Sequence, residues 1–171
     1  MIKVGILTVS DKGFRGERED RSAKAVEEAI SSLSPQETIY KIVPDEKEEI
    51  SRQIIRLADE EGCRLVLTTG GTGLAPRDVT PEATKGVIDK EVPGLAEIMR
   101  RESFKITPHA ALSRAVAGIR GKSLVVNLPG SPKAVKECLG VILPALPHAL
   151  ELIKGEVEEC GRFKQISIKQ K

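Results

Sequence analysis

Aromatic residues are nearly absent from this chain of 171 residues: only Phe14, Tyr40, Phe104 and Phe163, with no tryptophan. A surface that grips single-stranded nucleic acid by stacking bases on rings has little to be built from here. Net charge is also missing. The 27 Lys and Arg stand against 25 Asp and Glu, a formal +2, which argues against a polyanion-coating protein, so no nucleic-acid partner is expected. No run approaches the roughly 18 consecutive apolar residues of a membrane span. Met1–Leu7 is too short and too lightly flanked for a signal peptide and reads better as a strand, so no membrane partner is expected either. Cysteine is scarce: Cys63, Cys138 and Cys160 form no CxxC pair and are odd in number. That argues against a disulfide framework or zinc site and points to a reducing cytoplasm. Asparagine occurs once, at Asn127.

What is present is ordinary globular material. Hydrophobic residues make up 40% and charged residues 30%, well spread, which excludes an acidic disordered chain. The length suits one domain that buries roughly 70% of its unfolded surface. Val4–Val9 is an unbroken apolar run, as expected for a strand covered on both faces. Val26, Ala29, Ile30 and Leu33 then form a helical stripe. Thr38–Val43 is strand-like and stops at Pro44; Ile50, Ile54, Leu57 and Ala58 mark a second helix, closed by Gly62. Arg64–Thr68 is a third strand. This order implies a parallel sheet with crossover helices. Thr80-Pro81 has the form of an N-cap with proline at the first helical position. Leu95, Ile98 and Met99 begin another helix. Leu112–Ile119 and Ser123–Leu128 are strand candidates whose spacing suits a hairpin, making part of the sheet antiparallel. A helix follows Ser131-Pro132, with Val135, Cys138, Leu139 and Ile142 as its stripe, and Pro144 and Pro147 should break it before Leu150. The predicted architecture is therefore α/β: a three-layer sandwich with a mostly parallel sheet, one antiparallel strand and helices on both faces. It spans 1–155, with a charged tail at 156–171.

The segment Thr68–Pro81 leaves a buried strand and enters a helix, the place where open α/β sheets bind ligands. Its Thr69-Gly70-Gly71-Thr72-Gly73 core lets backbone N–H groups converge on one anion, with two threonine hydroxyls beside them, so phosphate is the expected partner. The alternative is a tight turn whose glycines only relieve strain. Neither common nucleotide motif applies. Gly118–Ser123 lacks the first glycine of a P-loop and is followed by a strand, and G-x-G-x-x-G is absent. Ser10 and Asp11 leave the first strand and are secondary candidates, with a local Asx-type turn as an equal alternative. Asp78 beside a phosphate would need a divalent cation such as Mg²⁺ between them; otherwise it pairs with Arg77 or caps the next helix. Asp45-Glu46-Lys47-Glu48 by itself fits a capping device, yet Asp45 follows a strand and shares the edge with the glycine loop. Gly130 and Ser131, in Asn127–Pro132, open a helix N-terminus that favours anions, or form an ordinary turn and cap. His109 and His148, each preceded by proline and without a ligand-spaced partner, read as surface or helix-start residues. Lys12, Arg77, Arg114, Lys122 and Lys133 add local positive charge, each read by itself as solvated surface.

Several stretches, in this order, resemble the MogA/MoaB molybdenum-cofactor family, in particular its MogA-type molybdopterin adenylyltransferases. They are Thr8–Asp11, Pro44–Glu46, Thr68–Gly73, Arg77–Pro81, Pro93-Gly94, Leu112–Ala115 and Asn127–Pro132, so the likeness covers about residues 1 to 154. It implies a homotrimer that transfers AMP from MgATP to the terminal phosphate of molybdopterin, releases pyrophosphate, and passes the product to a molybdate-insertion enzyme. It also implies that Asp45 and Asp78 are the catalytic and Mg²⁺-holding acids, which overturns the cap-only preference for Asp45. Ser10, Asp11 and Thr69–Gly73 would bind nucleotide phosphates; Ser113, Arg114, Pro129, Gly130, Ser131 and Pro132 would bind molybdopterin. Ser22-Ala23 stands where many members have Ser-Gly. A non-catalytic molybdopterin carrier of MoaB type and a CinA-like nucleotide hydrolase are the alternatives. The second is disfavoured because Arg77, rather than a second acid, neighbours Asp78. With so few aromatics, backbone groups and aliphatic side chains are expected to grip both substrate rings.

Overall fold

A computed structural model of the chain describes residues 2–155; the expected tail at 156–171 lies outside the described residues. Six strands form one sheet: β1 (Lys3–Val9), β2 (Glu37–Val43), β3 (Leu65–Thr69), β4 (Lys90–Glu91), β5 (Ala117–Arg120) and β6 (Ser123–Leu128), in spatial order β2-β1-β3-β6-β5-β4. β2, β1, β3 and β6 run parallel, while β5 is antiparallel to β6 and to β4. The expected mostly parallel sheet is thus present, and the hairpin turns at Gly121 with φ +52°.

The helices are α1 (Asp11–Phe14), α2 (Arg21–Ile30), α3 (Lys47–Ile55), α4 (Thr80–Lys85), α5 (Pro93–Phe104), α6 (Pro132–Ile142) and α7 (Leu146–Lys154). Strand alternation divides them between two faces. Val4, Ile6, Leu65, Leu67, Val126 and Leu128 pack against α2, α5, α6 and α7. Leu7, Val9, Val66 and Val125 pack against α3, α4 and a widened turn at Arg56–Glu60. Both faces are covered, which explains why the central strands are apolar without interruption. Each fully buried Leu or Ile contributes on the order of 1.5–3 kcal/mol. Gly5 leaves room for this packing, since a Cβ there would lie 3.1 Å from the Leu57 side chain.

Three local expectations are corrected. Leu112–Val116 is not a strand: Pro108–Leu112 forms a 3-10 turn and pairing begins only at Ala117, because Ser113 and Arg114 are diverted to other partners. Asp45 does not cap α3; Glu46 occupies that position without a side-chain bond, and the Asp45 carboxylate turns instead to the first loop. Thr80 does not cap α4 with its side chain; its buried hydroxyl donates to Gly70 O at 2.9 Å. Ser131 does cap α6, accepting from Ala134 N, and Pro144 lies in the break between α6 and α7.

Candidate functional site at the carboxyl edge

The chain passes from β1 to β2 on one side and from β2 across to β3 on the other, so the loops after β1 and β3 part beside each other. This is the switch point at which open α/β sheets hold ligands. The loop after β3 is held there by glycine. Gly70 and Gly71 have φ of +102° and +64°, and a Cβ on Gly70 would collide with the carbonyl of Val9. Gly71 sits against Asp45 Oδ1, 3.3 Å from its Cβ position, and against the Thr80 hydroxyl. Gly73 leaves room for Asp78, whose Oδ2 is 2.8 Å from the place a Cβ would take. The two acids singled out by the resemblance therefore flank the same three glycines.

Their surroundings differ. Asp45 is half-buried and exchanges backbone bonds with Asp11: Asp11 N donates to Asp45 Oδ2 at 2.8 Å, and Asp45 N donates to Asp11 Oδ1 at 3.1 Å. Burial raises the Asp45 carboxyl above the usual carboxylate range; the Asp11 N–H opposes this, and the charges of Asp11 and Asp78 add to the rise. Asp11 is held low, chiefly by the Arg77 guanidinium, which donates to both its oxygens at 2.7 and 2.9 Å. Arg77 thus pairs with Asp11 rather than with its neighbour Asp78. Asp78 accepts from Ala75 N at 2.8 Å. Ser10 caps α1, accepting from Gly13 N at 3.1 Å.

A hard cation fits this donor set. Each acid spends one oxygen on a backbone N–H and keeps another, and Mg²⁺ is satisfied by one or two carboxylates together with phosphate oxygens and water. Among the described residues no group of three or more His, Cys, Asp or Glu is arranged to hold a metal. An ion between Asp45 and Asp78 would therefore depend on substrate oxygens.

Two cavities of about 280 Å³ each open on either side of the glycine loop. Thr72, Gly73, Ser113 and Pro129 line the first, which is mainly apolar and walled by Ala96 and Met99 of α5. Ser10, Thr69, Gly70, Gly130 and Pro132 line the second, beside Asp20 and Ser22 at the start of α2. Asp11, Gly71, Asp45, Asp78, Arg114 and Ser131 line neither. His109 lines the first cavity from the start of the 3-10 turn. The wall between the cavities is tied together: a Cβ on Gly130 would lie only 3.3 Å from Gly70 Cα, and Thr69 Oγ1 donates to Pro129 O at 2.8 Å. Neither lining includes Phe or Tyr among the described residues.

Several side chains tie these loops together. Ser22 Oγ donates to Gly130 O at 2.6 Å, joining the first turn of α2 to the loop after β6. Asp20 caps α2 and accepts from Tyr40 Oη at 2.6 Å, and burial together with that carboxylate pushes the Tyr40 hydroxyl up to about 12. Asn127, fully buried, donates to Thr68 and Thr84 at 2.9 and 2.8 Å and accepts from Val116 N, so it fixes β3, α4 and the segment before β5 at once. Its loop, Asn127–Pro132, was singled out in the sequence, but nothing there marked the partners of the side chain. Arg114, expected at the pterin, directs Nε to Gly73 O at 2.7 Å, Nη2 to Asp78 O and Nη1 to Glu82.

Residues 5–148 match the family described as "Probable molybdopterin binding domain". A molybdopterin adenylyltransferase of Helicobacter pylori strain J99 is 51% identical over 156 residues, covering 90% of this chain and 89% of the relative. Among solved structures, the molybdopterin biosynthesis enzyme MoaB of Thermus thermophilus superposes with a TM-score of 0.86 at 56% identity, covering 91% of this chain and 98% of the other. The tungsten cofactor synthesizing protein MoaB of Pyrococcus furiosus gives a TM-score of 0.82 at 41% identity, covering 90% of this chain and 98% of the other.

Proposed function

This chain belongs to the molybdopterin-binding domain family of molybdenum cofactor biosynthesis, and from that premise we propose that it is a molybdopterin adenylyltransferase. It transfers AMP from ATP to the terminal phosphate of molybdopterin and releases pyrophosphate. The observation that carries the reading is the pair of cavities sharing one glycine-walled ridge with an acid on either side of Gly71–Gly73. Joining two ring compounds through their phosphates requires two ring-sized spaces meeting at one anion site.

The nucleophile, a phosphate monoester, is already ionised at neutral pH, so no strong base is needed and positioning and charge neutralisation are what remain. The backbone of the Thr69–Gly73 loop and the Thr72 hydroxyl hold phosphates at the ridge. Asp45 and Asp78 would hold Mg²⁺, which supplies charge neutralisation to the polyphosphate. Backbone and aliphatic groups of the cavity walls grip the rings. A homotrimer in the cytoplasm that hands its product to a molybdate-insertion enzyme completes the proposal. Among the described residues no helix is long and apolar enough to cross a membrane.

The test is incubation with MgATP and molybdopterin, with adenylated molybdopterin detected directly. Product formation supports the transferase. Pterin binding without the adenylate makes the protein a carrier, and pyrophosphate release from ATP without molybdopterin makes it a hydrolase.

A further inference from the structure

Between Gly73 and Asp78 the chain makes an exposed excursion, Leu74–Arg77, with Leu74 63% exposed at its tip. Inside it Asp78 N donates to Ala75 O at 2.9 Å and Ala75 N donates to the Asp78 carboxylate. These bonds shape the turn, and Arg77 pairs it with Asp11 of the first loop. Arg114 holds its two ends. Its backbone N–H donates to Thr72 O at 3.0 Å, its Nε to the carbonyl that enters the excursion and its Nη2 to the carbonyl that leaves it. A guanidinium presents these donors in a rigid planar fork that one ammonium cannot reproduce.

The base of this fork is anchored as well. Arg100 Nη1 donates to Ala115 O at 2.8 Å, and Val116 N is held by the buried Asn127. The charge of Arg114 is met by Glu82 of α4. A phosphate reaching it would have to displace a carboxylate that already neutralises it.

We propose that Arg114 is a positioning residue that staples both ends of the Asp78 loop, and that it does not serve as a substrate-phosphate ligand. The proposal rests on the adenylyl-transfer reading for its catalytic consequence and on the hydrogen bonds alone for its structural one. A displacement of Asp78 by about 1 Å is enough to cost on the order of 100-fold in rate without altering ring binding.

Arg114→Lys keeps the charge and removes the fork. In the unliganded variant, amide exchange at Ala75 and Asp78, the two loop amides that donate hydrogen bonds, is expected to rise about tenfold or more while the strand amides stay protected. With MgATP and molybdopterin, kcat is expected to fall roughly 10- to 100-fold with both KM values within about threefold. Exchange unchanged in the loop overturns the staple. A molybdopterin KM raised about tenfold at constant kcat also overturns it, because that marks a lost ligand. Glu82→Gln keeps both carbonyl bonds and frees the cation, so loop exchange should match the parent. A KM for ATP or molybdopterin lowered about tenfold in that variant would again mark a phosphate ligand and overturn the proposal. If the parent protein forms no adenylated molybdopterin, the functional reading fails while the exchange measurement still decides the staple.

Discussion

Asp11 and Asp45, 34 residues apart in sequence, each accept the other's backbone N–H, at 3.1 and 2.8 Å. This reciprocal pair locks the loop after β1 to the loop after β2, and it keeps two carboxylates side by side, their charge offset chiefly by Arg77.

Removing that offset should be visible in a pH profile. Arg77 holds Asp11 low and also lowers Asp45. In Arg77→Gln both carboxyls rise, so protonation overtakes the site earlier as pH falls. The acid limb of adenylyl transfer is expected to move to higher pH, with little change in stability, since an exposed ion pair is worth about 0–1 kcal/mol. An unmoved acid limb would show that neither carboxylate titrates in the rate-limiting step.

Asp45 makes an opposite prediction for stability. Its folded carboxyl is raised, chiefly by burial, so the folded state binds this proton more tightly than the unfolded chain does. Folding therefore loses stability as pH rises from the ordinary carboxylate range through the folded value, and above it the ionised group is a standing cost. Asp45→Asn should melt higher than the parent at pH 7, with the gap closing below the ordinary Asp range, and should lose AMP transfer. A lower melting temperature at neutral pH would contradict this.

Asp78→Asn tests the metal-holding role with little change of shape, because Asn keeps an acceptor for Ala75 N. Transfer should drop on the order of 100-fold or more through lost charge neutralisation. Transfer at the parental rate would remove Asp78 from the mechanism.

Gly70→Ala should be destabilising wherever activity is measured. A φ of +102° costs a non-glycine residue on the order of 1–3 kcal/mol, and the added methyl would also meet the Val9 carbonyl. Urea denaturation should show a loss above about 2 kcal/mol; parental stability would mean that this loop refolds readily.

Asn127→Ala removes a buried side chain and strands the Thr68 and Thr84 hydroxyls and Val116 N. A loss of about 1–3 kcal/mol or more by the same method is expected, and one below 0.5 kcal/mol would mean that these groups find new partners.

Strands β1, β2, β3 and β6, the mostly parallel sheet and the carboxyl-edge loops were legible in the sequence because they are written locally. Apolar runs such as Val4–Val9 require cover on both faces, and a Gly-Gly-x-Gly turn requires backbone freedom at the strand end it follows. The likeness of Pro44–Glu46 and Arg77–Pro81 to the molybdenum-cofactor family also pointed to Asp45 and Asp78 together. Local pattern misled where a side chain had a distant competitor. Asp45 reads as a cap for α3 until the first loop offers the Asp11 N–H, and Thr80 reads as a cap for α4 until Gly70 O comes within reach. The Arg77–Asp11 pair, the Ser22–Gly130 bond, the Arg114 staple and the two cavities were decided by tertiary structure. Each joins segments far apart in sequence, and periodicity or spacing carries no signal of which loops the sheet order brings side by side.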